Sequence, residues 1–144
     1  MDTNFLQQVL GTADKIALST SLDHDADVKI VNYVWYPDEP DTLYFSSVKD
    51  TDAVKIYDQN PDVAFITVPY DSEKTNPFVR GQHVTVQKST KTIDDLLPRY
   101  LETVPGYQKV YDMIGKSLVV YEIKLHTVTV DAGLGEKKTE MTFG

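Results

Sequence analysis

Between residues 15 and 47 the chain offers three strand-forming runs, and the segments joining them are short and polar. Residues 15–20 (KIALST), 28–36 (VKIVNYVWY) and 42–47 (TLYFSS) are rich in β-branched and aromatic residues, which suit a pleated, half-buried surface. Residues 37–41 (PDEPD) read as a turn, because proline fixes φ and aspartate side chains close local turns. Strands gathered this way do not alternate with helices as a parallel α/β fold requires. The third strand is expected to return antiparallel to the second.

The remaining segments fit around that sheet. Asn4 can cap a short helix with Phe5, Leu6, Val9 and Leu10 on one face, stopping at Gly11. Residues 50–59 form a second helix, with Asp50 or Thr51 as cap and Ala53, Val54, Ile56 and Tyr57 as buried positions. Asn60-Pro61 ends it, since proline cannot continue a helix and biases the preceding residue away from α. Residues 63–68 (VAFITV) read as a buried central strand, and residues 78–88 as a fifth strand with Val84 and Val86 on one face. Thr92 and Asp95 are spaced as a capping box. It opens a helix carrying Leu96, Leu97, Tyr100, Leu101 and Val104, with Pro98 starting a fresh turn or kinking it. A short helix through Val110, Tyr111 and Ile114 follows Pro105-Gly106, and residues 117–130 form the last extended segment. The order predicts an antiparallel sheet curled into a small barrel with helices outside. No composition shift divides residues 1–144, so the chain reads as a single domain.

Charge and composition narrow the function. Twenty-two Asp+Glu against fourteen Lys+Arg give a formal charge of -8, which repels phosphate backbones and anionic lipid and argues against nucleic-acid and membrane partners. No cysteine is present, which excludes thiolate nucleophiles and Cys-containing metal sites. His24, His83 and His126 have no metal-ligand spacing, so no metal is expected. The acidic segment 23–27 around His24 reads as a solvated loop. Ser19, Thr20 and Ser21 lack a nucleophile-elbow pattern, and neither a P-loop nor a dinucleotide fingerprint occurs. With no basic, apolar leader at residues 1–11, a cytoplasmic location is expected.

Three pieces in order carry a likeness: Lys29-Ile30-Val31-Asn32, Leu43-Tyr44-Phe45-Ser46-Ser47, and Asn60-Pro61-Asp62-Val63-Ala64-Phe65. With the element order, they resemble the pyridoxamine 5′-phosphate oxidase-like family, in its short, general-stress-protein-like branch. The resemblance covers residues 5–130. It implies a mainly β fold, a six-stranded antiparallel Greek-key split barrel with flanking helices, and FMN as cofactor. It also implies an FMN-dependent oxidoreductase that passes electrons between a small-molecule donor and acceptor. A homodimer would carry two cofactor sites at its interface.

FMN needs cations and N–H donors for its phosphate, hydroxyl or amide partners for its ribityl chain, and a flat apolar slot for its ring. By the resemblance, Lys29 stands where the family's second strand carries a phosphate-binding arginine. Ile30, Val31 and Asn32 follow it along the cofactor, and Ser46 and Ser47 match the family's hydroxyl-bearing pair. Lys49 and Lys55 are further candidate cations. A helix starting beside Lys49 would add N-terminal amides that attract anions. Each residue also has a plainer role. The serines can end a strand, the lysines can be solvated and paired with Asp52, and Trp35 and Tyr36 can be core or interface aromatics rather than flavin platforms. His83 likewise reads as an ordinary strand histidine or as a group reaching the flavin edge.

Two departures qualify the resemblance. Where the family carries a basic pair, this chain has Asp52 and Ala53. Two alternatives stand beside an enzyme: a non-catalytic flavin-binding protein, and a cofactor-free structural or interaction protein, for which Asp52-Ala53 is the best evidence. The family's C-terminal Arg/His substrate motif is also missing, because the only arginines are Arg80 and Arg99 and residues 135–144 contain neither arginine nor histidine. Oxidation of pyridoxamine phosphate is therefore not expected.

Overall fold

The computed structural model describes residues 4–11, 13–68, 77–131 and 138–143. Its strands are β1 (Lys15–Leu22), β2 (Asp25–Asn32), β3 (Val34–Trp35), β4 (Thr42–Val48), β5 (Asp62–Thr67), β6 (Phe78–Lys88), β7 (Leu118–Lys124), β8 (Thr127–Asp131) and β9 (Thr139–Thr142). They form one antiparallel sheet in the order β2-β1-β5-β6-β7-β4-β3, with β8 joining β6 to β9. Four helices flank it: α1 (Asn4–Leu10), α2 (Asp52–Gln59), α3 (Ile93–Thr103) and α4 (Tyr107–Ile114). The class is the expected mainly β split barrel, but with nine strands among the described residues rather than six.

The three additional strands have separate causes. The run 28–36 breaks at Tyr33, whose side chain turns inward and donates its hydroxyl to Leu10 O at 2.9 Å, tying α1 to the sheet. The last extended segment breaks after Lys124. Leu125 N bonds Asp41 O, and the chain then crosses from β7 to pair with β6. Strand β9 is polar except for Met141, so no apolar alternation announces it.

The break at Tyr33 also corrects the expected pairing. Of the two strands in that run, only β3 pairs with β4, through Val34↔Tyr44 and Trp35↔Leu43. β2 forms a hairpin with β1 instead. Its two-residue turn is Asp23-His24, both with positive φ (52° and 70°), as a hairpin turn that follows strand twist demands. The acidic loop expected at residues 23–27 is thus mostly strand.

Two cores result. The barrel interior holds Ile16, Leu18, Phe45, Phe65, Val84, Val86, Tyr121 and Ile123, closed by Leu6, Val9 and Leu10 of α1 and Tyr57 of α2. A second cluster lies behind the sheet, where Val34, Tyr44 and Val120 pack under Leu96, Tyr100, Val104 and Tyr107. This explains why β4 is apolar on both faces. Phe45 stacks with Tyr121 (6.0 Å, 27°) and meets Tyr57 edge-on (5.5 Å, 86°). Tyr100 lies flat against Tyr107 at 4.0 Å. Arg99 of α3 donates from Nε and Nη2 to Trp35 O, at 3.1 and 2.9 Å, fastening the helix to β3. Trp35 is itself a core residue, its Nε1 donating to Pro40 O at 3.1 Å. Pro98 neither ends nor restarts α3, which runs through it.

Candidate functional site

The end of β4 and the start of α2 place Ser47 and Lys49 near one another, and of the other expected cofactor residues Lys29 lies on the same side of the sheet as Ser47. Register fixes which of them share a face. Lys29 pairs with Leu18 and Val31 with Ile16, and both β1 partners point into the barrel, so Lys29 lies on the inner side of β2. Ser47 alternates with Phe45, another inward residue, and therefore also lies on that side. α2 lies across the same opening. Asn60, just past its end, donates from Nδ2 to Ser21 O at 2.7 Å. α2 starts at Asp52, just past the end of β4 at Val48, so its first turn lies at the Ser47 end of that strand.

That turn has free donors. Thr51 occupies the N-cap position, but its hydroxyl donates to Val48 O at 2.9 Å and caps no amide. An uncapped helix start combines unsatisfied N–H groups with the positive end of the helix dipole. Lys49 precedes it in the turn, its own amide held by Ser117 O at 2.8 Å. Among the described residues, Lys29, Lys49 and Lys55 have no ion-pair partner, so the alternative in which Lys49 and Lys55 pair with Asp52 is not seen. Asp52 sits exposed in the first turn, where the family's basic residue would be. On the barrel side, Tyr57 marks the depth of the site. Burial first, and then the neighbouring Asp27 carboxylate, push its phenol up to about 12.

The other expected residues divide. Ser46 faces the opposite side of the sheet, with its Oγ 3.4 Å from the Tyr107 hydroxyl. Ile30 points away from the barrel and is 63% exposed, whereas Val31 packs partly on the core. Lys55 lies on the solvent face of α2, away from the packed Ala53, Val54 and Tyr57. Asn32 carries a buried Oδ1 without a hydrogen-bond partner. An unmet buried acceptor costs about 1–3 kcal/mol, and a flavin offers ribityl hydroxyl and ring N–H donors that would satisfy such an atom. By alternation Asn32 lies with Ile30 on the outer side of β2, so the uncapped amides and the lysines without ion-pair partners are the part of the set that fits the phosphate of a flavin.

Two features lacked a sequence signal. A bulge in β6 sets Gln82 and His83 together opposite Ala64, because Phe65 pairs with Gly81 while Val63 pairs with Val84. Both side chains emerge on the outer face. The second feature is a lysine-lined hollow beside α3, assembled from Lys88, Lys91 and Lys116 with no motif linking them. No group of three or more His, Asp or Glu that could hold a metal occurs among the described residues.

The fold is that of an antiparallel split barrel with a polar corner at the start of α2, and the comparisons show its family. The model of the pyridoxamine 5′-phosphate oxidase-like family matches residues 9–137, and the chain belongs to that family. Solved structures similar to it include a protein related to general stress protein 26 from Clostridium acetobutylicum. That likeness has 11% identity, covers 99% of this chain and 97% of that one, and gives a TM-score of 0.71. An FAD-binding protein from Mesorhizobium loti has 16% identity, with 89% and 92% covered and a TM-score of 0.62. A heme-binding protein from Mycobacterium smegmatis has 12% identity and a TM-score of 0.71; the match covers 97% of this chain but only 57% of that one. No curated protein matches the chain significantly in sequence. No helix among the described residues is long and apolar enough to cross a membrane.

Proposed function

We propose that this chain is an FMN-binding flavoprotein and an FMN-dependent oxidoreductase, though not a pyridoxamine phosphate oxidase. The observation that carries the reading is the uncapped first turn of α2 beside lysines that lack ion-pair partners. Lys29, Lys49 and the α2 amides would hold the phosphate. Ser47 would meet the ribityl chain. Bound there, the flavin supplies two-electron transfer between a small-molecule donor and acceptor. The protein's part is to bind, orient and shield it. Cytoplasmic residence and a homodimer with its cofactor sites at the interface belong to the same proposal. The outward apolar residues of β2 and β5 support the dimer.

The test is the ultraviolet–visible spectrum of the purified protein before and after adding FMN. A flavin band that remains with the protein through gel filtration is expected; its absence after loading would overturn the reading. Reduction of that band by a nicotinamide donor would separate an oxidoreductase from a flavin-binding protein without turnover. Asp52 favours a second reading, in which the barrel has lost its cofactor and serves as an interaction protein. Ala53→Lys discriminates here: restoring the family's cation should tighten FMN binding if the phosphate lies at this corner, and change nothing if it does not.

A further inference from the structure

The sheet ends at β2, the first strand in its order, and residues 25–30 of that strand are all exposed. Tyr33 N bonds Asp14 O at 3.1 Å, in continuation of the β1–β2 register. Peptide groups alternate in direction along an antiparallel pair, so the odd-numbered residues of β2 turn theirs toward β1. Those of Ala26, Val28 and Ile30 turn toward the open edge. There Val28 N is met by the carboxylate of its own neighbour, Asp27, at 2.9 Å.

An edge strand presents N–H and C=O groups that another strand can pair with, and charges placed on it usually prevent that. Here the charges select a partner. Asp25, Asp27 and Lys29 share the inner side of β2, and Ala26, Val28 and Ile30 the outer side. A second copy of β2 laid antiparallel along the first, about a two-fold axis through the sheet, keeps like sides together. Centred on Asp27, that pairing sets Asp27 against itself; centred on Lys29, it sets Lys29 against itself. Centred on Val28, it sets each Asp27 against Lys29 of the other copy and opposes no like charges. Neither residue has an ion-pair partner among the described residues. The same centring sets Val28 on Val28 and Ala26 on Ile30, the residues whose peptide groups face the edge. It brings together across the seam two side chains, Val28 and Ile30, that are each 63% exposed. Asp27 and Lys29 then fall at non-hydrogen-bonded positions, where opposed side chains come closest.

We propose that β2 pairs edge to edge with β2 of a second copy of this chain, centred on Val28, with reciprocal Asp27–Lys29 ion pairs across the seam. The contact is distinct from a dimer through the outer face. It is one strand wide, so it forms at about 0.1–1 mM rather than at micromolar concentration. It does not rest on the flavin reading, and it is measured without added flavin because a phosphate on Lys29 would compete with Asp27. The test is backbone amide exchange of the full chain, followed by NMR across that concentration range. Exchange at Ala26, Val28 and Ile30 should slow as concentration rises, while Asp27 and Lys29, already turned to β1, should not change. Asp27→Lys alone and Lys29→Asp alone each oppose like charges and should weaken association roughly tenfold or more. Both positions are exposed, so each variant should keep its fold and its other amide signals. An equimolar mixture of the two variants opposes unlike charges again and should recover the association. Ile66→Lys, on β5 and away from this edge, should leave the slowed exchange in place. No slowing up to about 1 mM would overturn the proposal, as would slowing at odd and even residues alike. Variants that associate as the wild type does, or a mixture no better than its components, would overturn it too. Loss of the slowing in Ile66→Lys would assign it to the outer face instead.

Discussion

A Cβ on Gly81 would stand 2.6 Å from the Phe65 ring and 2.9 Å from Val84 Cγ1, inside the barrel and beside the β6 bulge. Gly81→Ala should therefore cost about 1–3 kcal/mol, as overpacking does, and a denaturant midpoint should show it. No loss would mean that Phe65 swings aside freely. At the flavin corner, Lys29→Ala removes a charged hydrogen-bond donor and should weaken FMN binding roughly ten- to hundredfold by fluorescence titration. An unchanged dissociation constant would remove Lys29 from the site. Single residues were unevenly legible in the sequence. The inner side for Lys29 follows from alternation once β1 and β2 pair, yet the same alternation sends Ser46 and Ser47 to opposite faces. A motif matches both serines; only the pleat separates them.

Among the elements, α3 was the most legible, because Thr92 and Asp95 form the expected capping box. Thr92→Ala should cost about 1 kcal/mol, read by thermal unfolding. The backbone amide of Thr92, and then its side chain, hold the Asp95 carboxyl below its usual value. A depressed carboxyl contributes in full above its unfolded pKa, and the contribution is lost as pH falls through the folded value. The first turn of α3 should therefore loosen in acid, with faster amide exchange at its start. The phenols of Tyr57 and Tyr121 have the opposite sign. Burial leads in both, and Asp27 or Asp58 adds to it, raising each to about 12 from 10.0. Their contribution is complete below pH 10 and is lost as pH rises through about 12. An alkaline titration should show these phenols ionising together with loss of sheet signal. Strand ends were less legible. Nothing local in VKIVNYVWY marks Tyr33 as the break, because its cause is a bond to Leu10, 23 residues earlier in the chain.

At the scale of the molecule, the outer face of β2-β1-β5 is where the barrel remains unfinished. Register sets Ile30, Ala17 and Ile66 in one row and Val28, Ser19 and Ala64 in the next, all pointing away from the core. Val28 and Ile30 are each 63% exposed and Ile66 is 37% exposed. The sequence suggested this surplus through the runs 28–36 and 63–70, of which Pro69 and Tyr70 lie outside the described residues. Strands apolar on both faces need a second surface, and another copy of the same face supplies one under two-fold symmetry. The expected assembly is a homodimer with an apolar interface above about 2,000 Å² in total and two equivalent clefts at its edges. Light scattering at micromolar concentration should give twice the 16.3 kDa of the chain. Ile30→Lys would place a charge on this face of each subunit while leaving the barrel interior untouched, so it should give a folded monomer. If FMN binds between the subunits, that monomer should also lose flavin affinity although Lys29 is intact. A wild-type mass of 16.3 kDa would sink the dimer, and an Ile30→Lys dimer would show that another face holds it together.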